Sequence, residues 1–177
     1  MALILLRHGE PKIASGVCYG QSDIGAHIPD HAALTGVLSR FDRPVTRLYS
    51  SPLRRCMDLS QNLAPLLNLQ VQTDPRLSEI NFGNWEMQPW DNVPRDEIDL
   101  WASDVENARP HGGESVAQFM QRVKSYLADM AGESGNVLAV SHLGVARVIA
   151  AILGYPEPFE LKLDFGDFLT FETDHIL

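Results

Sequence analysis

Hydrophobic residues occur along the chain in short runs separated by polar segments, and these runs predict strands. The first run, Ala2 to Leu6, is apolar at every position, which is typical of a strand that is covered on both faces of a sheet. Further strands are predicted at 45–50, 69–73 and 136–140, with two edge strands at 161–165 and 168–172.

Apolar positions at helical spacing predict helices between these strands. Asp30 is a suitable N-cap for a helix that ends near Phe41. The inner face of this helix is predicted to consist of Ala32, Ala33, Val37 and Leu38.

A second helix is predicted to start with Ser51 as its cap and Pro52 at its first position, and to run to about Leu67. Further helices are predicted at 94–102, 114–131 and 144–153. This alternation of strands and helices predicts an α/β fold, a three-layer α/β/α sandwich with a mostly parallel central sheet. A length of 177 residues fits a single domain over residues 1–177.

The composition narrows the range of partners. The formal net charge is −9, so the chain lacks the overall basic character that binds nucleic acid or an anionic membrane. Cys18 and Cys56 have no metal-ligand spacing and are expected to be reduced thiols. No apolar stretch is long enough to span a bilayer, and no cleavage-site pattern precedes Arg7, so we expect a cytoplasmic protein. The oligomeric state stays open, with a homodimer as one alternative.

Arginine and histidine side chains follow three of the predicted strands. Arg7 and His8 end the first strand, Arg54 lies in the first helical turn after the second, and His142 follows the fourth. Because the carboxyl ends of parallel strands meet at one edge of a sheet, these side chains are expected to converge. Arginines and helix N-termini bind phosphoryl oxygens. The pattern therefore predicts a phosphate pocket in which Arg54 binds the anion, whereas Arg55 faces solvent.

Four segments together resemble the histidine phosphatase superfamily, whose members have the phosphoglycerate-mutase-like fold. They are Leu6-Arg7-His8-Gly9-Glu10, 50–55 (SSPLRR), 77–86 (LSEINFGNWE) and Val140-Ser141-His142. They occur in the family's order and span nearly the whole chain. Within the family, segments 16–23 (GVCYGQSD) and 111–115 (HGGES) are most similar to the α-ribazole phosphatases, which act in cobalamin nucleotide-loop assembly.

The resemblance implies a two-step mechanism that needs no metal and no cofactor. It assigns His8 as the nucleophile that forms a phosphohistidine, with Arg7, Arg54 and His142 holding the phosphoryl oxygens. It assigns Glu79 as the acid that protonates the leaving group and then as the base that activates water. The neighbouring arginines are expected to keep His8 neutral by lowering its pKa.

The chain departs from the family pattern at two positions near the expected pocket. Leu143 stands where the family usually has glycine, so it keeps the backbone N–H but does not readily adopt a positive φ. The asparagine that the family's mutases carry after the first motif is missing, and we expect the loop with Tyr19 and Gln21 to supply that contact. Trp90 is the aromatic residue expected to face the substrate. The histidines outside the motifs are predicted at the surface: His27, His31, His111 and His175. For His111, which lies in a glycine-rich loop, a position bordering the pocket is the alternative.

These residues favour a phosphomonoesterase acting on a small phosphorylated metabolite, and the resemblance suggests α-ribazole 5′-phosphate. The alternatives are a broad-specificity or sugar-phosphate phosphatase and a phosphohistidine-protein phosphatase. A phosphoglycerate mutase is less favoured, because the chain ends soon after its last predicted strand, without a tail to shield a phosphoenzyme from water. The intact His8, Glu79 and His142 argue against a non-catalytic phospho-ligand binding module. A metal hydrolase using His8, Glu10 and His142 is disfavoured because Arg7 and Arg54 would repel a cation.

Overall fold

A five-stranded sheet forms the centre of the computed structural model, which describes residues 2–131 and 134–173. The strands are β1 (Ala2–Arg7), β2 (Val45–Ser50), β3 (Val71–Thr73), β4 (Asn136–Ser141) and β5 (Phe168–Glu172). Their order in the sheet is β3-β2-β4-β1-β5. All neighbouring strands are parallel except β1 and β5, which pair antiparallel. The predicted α/β class with a mostly parallel sheet is confirmed.

The described part of the chain contains five α-helices. They are α1 (His31–Leu38), α2 (Arg54–Leu67), α3 (Arg95–Ser103), α4 (Val116–Ala131) and α5 (Leu143–Ile152). Short 3-10 turns lie at Pro75–Leu77, Gly83–Trp85, Trp90–Asn92 and Pro158–Glu160. None of these helices, within the residues described, is both long enough and apolar enough to cross a bilayer.

Both faces of the sheet are covered by helices, which explains the uninterrupted apolar run of β1. Leu3 and Leu5 pack with side chains of α4 and α5 on one face. Ile4 and Leu6 pack with side chains of α1 and α2 on the other face. Alternate side chains of a strand point to opposite faces, so each face needs its own apolar set. Burial of each such side chain stabilises the fold by about 1.5–3 kcal/mol.

Helix α2 begins later than the sequence predicts. The residue at its N-cap position is Leu53, whose side chain makes no capping hydrogen bond. The predicted cap, Ser51, is fully buried, and its hydroxyl oxygen lies 2.9 Å from Nε2 of His142. The same oxygen accepts one long hydrogen bond, from the Leu53 N–H at 3.4 Å, and the helix starts only at Arg54, so the predicted start of α2 at Ser51 is wrong.

The N-terminus of α1 is predicted correctly and its inner face in part, since Val37 and Leu38 pack against the core as predicted. The carboxylate of Asp30 accepts a hydrogen bond from the Ala33 N–H at 2.9 Å, as expected of an N-cap. The buried residue of this helix is Leu34, whereas Ala32 and Ala33 are exposed. The larger Leu34 side chain reaches the core that the two alanines cannot fill.

Segment 161–165 is not a strand, contrary to the prediction. The carbonyl oxygen of Leu163 accepts a hydrogen bond from Nη1 of Arg7 at 2.6 Å. The carbonyl oxygen of Leu161 accepts one from Nε of Arg147 at 3.1 Å. These carbonyl groups bind arginine side chains, so the segment supports the end of β1 and the helix α5.

Candidate active site

The carboxyl ends of β2, β4 and β1 lie side by side and bring two histidines together. In the sheet, β4 lies between the other two strands, with Ser141 paired to Arg7 and Val140 paired to Ser50. His8 directly follows β1 and His142 directly follows β4, and their ring centroids are 5.1 Å apart. Both side chains are buried, so the expected convergence of these two residues is present in the structure.

His8 is held as a neutral imidazole with one nitrogen available for chemistry. Its Nδ1 lies 2.7 Å from the carbonyl oxygen of Gly9. Because a carbonyl oxygen can only accept, Nδ1 carries the hydrogen and the lone pair is on Nε2. Burial, followed by the positive charges of Arg55 and Arg7, lowers the pKa of His8 to about 3. The ring is therefore neutral at pH 7 and can act as a nucleophile.

Arg55, and not Arg54, is the arginine of α2 that enters the site. Arg55 is fully buried, and its Nε donates to Nδ1 of His142 at 3.4 Å. Its Nη1 and Nη2 donate to the carbonyl oxygens of Ser22 at 2.9 Å and Gly20 at 2.6 Å. These bonds fix the direction of the guanidinium group beside the two histidines, and they leave it further N–H donors.

Arg54 lies in solvent, so the prediction that exchanged the roles of these two arginines is wrong. The Arg54 side chain is 66% exposed, and its Nε lies 3.4 Å from the carboxylate of Asp58. The anion predicted at this helix N-terminus is Asp23, whose Oδ1 accepts a hydrogen bond from the Arg54 N–H at 2.7 Å. The buried stripe of α2 runs through Arg55 and Leu59, one helical turn apart. That spacing is the sequence signal that would have identified Arg55.

His142 occupies the N-cap position of α5 and is enclosed by α2 and the end of β2. Since the Arg55 guanidinium only donates, Nδ1 of His142 accepts and its Nε2 carries the hydrogen that points to the Ser51 hydroxyl. The Cys56 thiol lies 3.5 Å from the same Nε2. Burial, reinforced by the charge of Arg55, holds the pKa of His142 well below its usual value. His142 is thus a second neutral imidazole.

Arg7 is anchored at the other side of His8. Its guanidinium carbon lies 3.7 Å from the centroid of the Phe165 ring, and its Nη1 donates a hydrogen bond to the Leu163 carbonyl oxygen. The Tyr19 side chain lies beside Arg7, and the Tyr19 ring centroid is 5.1 Å from the guanidinium carbon of Arg55. Tyr19 therefore bridges the two arginines, and the positive charge of the site is fixed in place.

Glu79 points its carboxylate at the N-terminus of α5. Its Oε2 accepts a hydrogen bond from the Gly144 N–H at 3.1 Å, and its Oε1 accepts one from the Ile80 N–H at 3.0 Å. A Cβ atom at position 144 would overlap Oε1 of Glu79, so this approach requires glycine. The positive end of the α5 dipole also favours a carboxylate here.

Two side chains hold the backbone of Glu79. Nη2 of Arg122 donates to the Glu79 carbonyl oxygen at 2.9 Å, and Nη1 of Arg122 donates to the Ser78 carbonyl oxygen at 2.8 Å. Nε2 of Gln21 donates to the same Glu79 oxygen at 2.8 Å. The structure thus gives Gln21, predicted to bind substrate, a position that supports Glu79. Arg122 is not predicted from the sequence, because it lies in α4, outside the segments that resemble catalytic or binding motifs.

A cavity of about 320 Å³ lies next to these groups, and we call it the active-site cavity. Arg7, Tyr19, Glu79 and Leu143 are among its lining residues. Leu143 is the first residue of α5 and has no positive φ, so its replacement of the usual glycine leaves the backbone unstrained. Among the described residues, no group of three or more His, Cys, Asp or Glu side chains is arranged to hold a metal ion.

The histidines outside the motifs differ from one another. His27 and His31 are exposed, as predicted, and His175 lies outside the described residues. His111 is fully buried, contrary to the prediction, with its ring centroid 4.8 Å from that of Trp85. The residues around His111 are mostly glycine, proline and arginine and show no regular spacing of apolar positions, so the sequence does not predict that His111 is buried.

Comparison with known proteins agrees with this geometry. Residues 3–168 match the model of the histidine phosphatase superfamily (branch 1). The chain is 31% identical over 170 residues to the adenosylcobalamin/α-ribazole phosphatase of Escherichia coli (strain K12), covering 88% of this chain and 81% of that protein. It is 27% identical to the probable phosphoglycerate mutase GpmB of Yersinia enterocolitica, covering 92% of this chain and 80% of that protein.

A solved structure shows the same fold over almost the whole chain. The α-ribazole phosphatase from Shigella flexneri superposes with a TM-score of 0.81 at 26% identity, covering 99% of this chain and 92% of that one. The matched family model spans β1 to the start of β5 and includes His8, His142, Arg55 and Glu79. The chain belongs to the histidine phosphatase superfamily, branch 1.

Proposed function

We propose that this protein is a metal-independent phosphomonoesterase that works through a phosphohistidine on His8. The observation that carries the proposal is the state of His8: a buried, neutral ring whose Nδ1–H is tied to the Gly9 carbonyl oxygen. This leaves Nε2 as a directed nucleophile. The charges of Arg7 and Arg55 lower the pKa of the same ring, and they are the groups that would bind a phosphoryl dianion.

In the first step, the lone pair of His8 Nε2 forms a bond to phosphorus as the bond from phosphorus to the leaving oxygen breaks. Glu79, in its protonated form, gives the leaving oxygen a proton and becomes a carboxylate. Arg7 and Arg55 stabilise the charge on the phosphoryl oxygens in the transition state. The phosphorylated ring carries a positive charge, which the Nδ1–H bond to the Gly9 carbonyl oxygen stabilises.

In the second step, water attacks the phosphohistidine. The Glu79 carboxylate takes a proton from this water, the bond between phosphorus and Nε2 breaks, and inorganic phosphate leaves. His8 returns to its neutral form and Glu79 to its protonated form, so the cycle closes without an added cofactor.

His142 has a supporting part in this proposal. Both of its ring nitrogens have protein partners, Arg55 at Nδ1 and Ser51 at Nε2. It therefore holds the Arg55 guanidinium in the direction that a phosphoryl group requires. Direct contact between His142 and the substrate, which the sequence predicts, needs its Nε2–H to turn from Ser51 to a phosphoryl oxygen.

The proposed substrate is a small phosphorylated metabolite, with α-ribazole 5′-phosphate as the first compound to try. Similarity to the Escherichia coli adenosylcobalamin/α-ribazole phosphatase supports this choice. The similarity to a probable phosphoglycerate mutase keeps a second candidate, in which the phosphohistidine transfers its phosphoryl group to another hydroxyl.

Hydrolysis of a generic aryl phosphate in the presence of a chelator tests the proposal. We expect the rate of phosphate release to be the same with and without EDTA. Loss of activity on chelation, restored by a divalent cation, would contradict the metal-independent mechanism. Formation of a rearranged phosphate ester, without release of inorganic phosphate, would instead favour the mutase.

A further inference from the structure

Five aromatic side chains besides Tyr19 line the active-site cavity. We call the set of lining residues Phe82, Trp90, Trp101, Phe119 and Phe159 the aromatic wall. Five further lining residues are aliphatic: Val17, Ile80, Val116, Leu143 and Val148. A cavity of about 320 Å³ has the size of a site for a small ring system.

The position of the cavity relates it to the leaving group of a phosphomonoester. Arg7, Glu79 and Gly144 line the cavity, whereas His8 and His142 lie buried behind these residues. An acid must contact the leaving oxygen in order to protonate it. The part of the substrate that extends past Glu79 into the cavity is therefore the leaving group, and the phosphoryl group stays beside His8.

Two members of the aromatic wall are exposed at the mouth of the cavity. Trp90 is 40% exposed and Phe159 is 53% exposed, although both are large apolar side chains. Exposed apolar surface that borders a cavity is typical of a ligand-binding site. A flat ring bound against these side chains would remove their apolar surface from water.

The aromatic wall is held in shape by backbone and ring contacts. The Trp90 N–H donates to the Gly16 carbonyl oxygen at 2.9 Å, and the Cys18 N–H donates to the Gln88 carbonyl oxygen at 3.0 Å. The Phe82 and Trp90 rings meet edge to face, with centroids 5.3 Å apart. A wall that is already ordered loses little conformational entropy when a ligand binds.

We infer that the preferred leaving group carries a flat aromatic or heteroaromatic ring, which binds against the aromatic wall. This inference rests on the proposed function for the location of the phosphoryl group beside His8. Arg147 also lines the cavity, and its guanidinium group can donate a hydrogen bond to a ring nitrogen or hydroxyl. A small acidic leaving group such as glycerate has no ring to cover these apolar side chains, so their surface would stay in contact with water.

Binding of phosphonates tests the inference without any need for turnover. Calorimetry would compare 2-phenylethylphosphonate, ethylphosphonate and 3-phosphonopropionate, which share a phosphonate on a two-carbon chain and differ in whether that chain ends in a phenyl ring, a hydrogen or a carboxylate. We expect the phenyl compound to bind at least about tenfold more tightly than the other two, from burial of its ring. Equal affinity for all three, or tightest binding of the carboxylate compound, would overturn the inference.

Variants of the aromatic wall separate ring binding from phosphonate binding. In Phe159→Ala and Trp90→Ala, the affinity ratio between the phenyl and ethyl compounds should fall by about threefold or more. Leu100→Ala is the matched control, because Leu100 is 57% exposed on α3 and does not line the cavity. A ratio that both wall variants leave unchanged would contradict the inference.

The proposed function and this inference can fail separately. An enzyme that hydrolyses phosphomonoesters but binds the three phosphonates equally refutes the aromatic leaving group alone. A protein that hydrolyses no phosphomonoester but binds the phenyl compound most tightly, with the predicted effect of Phe159→Ala, refutes the phosphatase and leaves the aromatic site standing.

Discussion

Nε of Arg55 donates a hydrogen bond to Nδ1 of His142 at 3.4 Å, and this contact joins helix α2 to the end of strand β4. It links a guanidinium group from one segment to an imidazole from another segment far along the chain. Both side chains are fully buried, so the pair forms a fixed wall of the site beside His8. The Arg54 side chain, one residue earlier, points into solvent.

This contact predicts opposite results for neighbouring arginines. Arg55→Ala should lower kcat/KM for an aryl phosphate by about 10²–10³-fold, because a donor to the transition-state charge is lost. Arg54→Ala should change it less than about twofold. Arg55→Lys, which keeps the charge but not the fork of N–H donors, should recover part of the loss. Urea denaturation of each variant checks folding, and a large loss confined to Arg54→Ala would refute the assignment.

The contact between Gly144 and Glu79 predicts a loss of activity without a loss of stability. Gly144→Ala places a methyl group on Oε1 of Glu79 and should displace this carboxylate. Alanine is a better helix former than glycine by about 1 kcal/mol, so α5 itself should not be weakened. The rate should fall most for substrates with poor leaving groups, as it should in Glu79→Gln.

Gly36→Ala is the matched control for this prediction. Gly36 lies in α1, and a Cβ atom there would meet no other atom within 4 Å. Rates measured over a series of phosphomonoesters with different leaving groups distinguish the two variants. If Gly144→Ala and Gly36→Ala gave the same rates for every substrate, the position of the Glu79 carboxylate at the N-terminus of α5 would not matter for catalysis.

The buried histidines predict a stability that falls as the pH is lowered. The pKa of His8 is lowered to about 3 and that of His142 lies well below its usual value, mainly because both are buried. Below pH 6.5 the unfolded chain binds protons that the folded protein does not, so acid favours unfolding. Each histidine should contribute a loss of up to about 1.4 kcal/mol per pH unit.

Urea denaturation between pH 7.5 and pH 5 measures this dependence. Replacement of His142 by Asn should reduce the slope of the unfolding free energy against pH. The reduction should approach the value for one proton, about 1.4 kcal/mol per pH unit. Replacement of the exposed His27 by Asn should leave the slope as in the wild type. A wild-type unfolding free energy that stays constant over this range would mean that the buried imidazoles titrate normally.

Much of the fold could be predicted because the sheet is covered on both faces. The uninterrupted apolar run of β1 requires two covered faces, and the polar residues at its end must then lie at the edge of the sheet. His8 and His142 could therefore be located correctly from the sequence. The start of β4 was also predicted well, since its four central residues are apolar and buried.

The site was harder to predict where two similar residues are adjacent. Arg54 and Arg55 have the same chemistry, and only the register of α2 decides which one is buried. That register shows in the structure, where Arg55, Leu59 and Leu63 form the buried side of a helix that starts at Arg54. The buried position of His111 depends on aromatic contacts with Trp85 and Phe82, which no local pattern reveals.

The central claim is that His8 carries the phosphoryl group during turnover, and rapid quenching with a labelled phosphomonoester tests it most directly. We predict a label that is stable in base, labile in acid and located on the peptide containing His8. The label should be absent in His8→Ala and retained in the control His27→Ala. Full turnover by His8→Ala, or a label on any other residue, would contradict the claim.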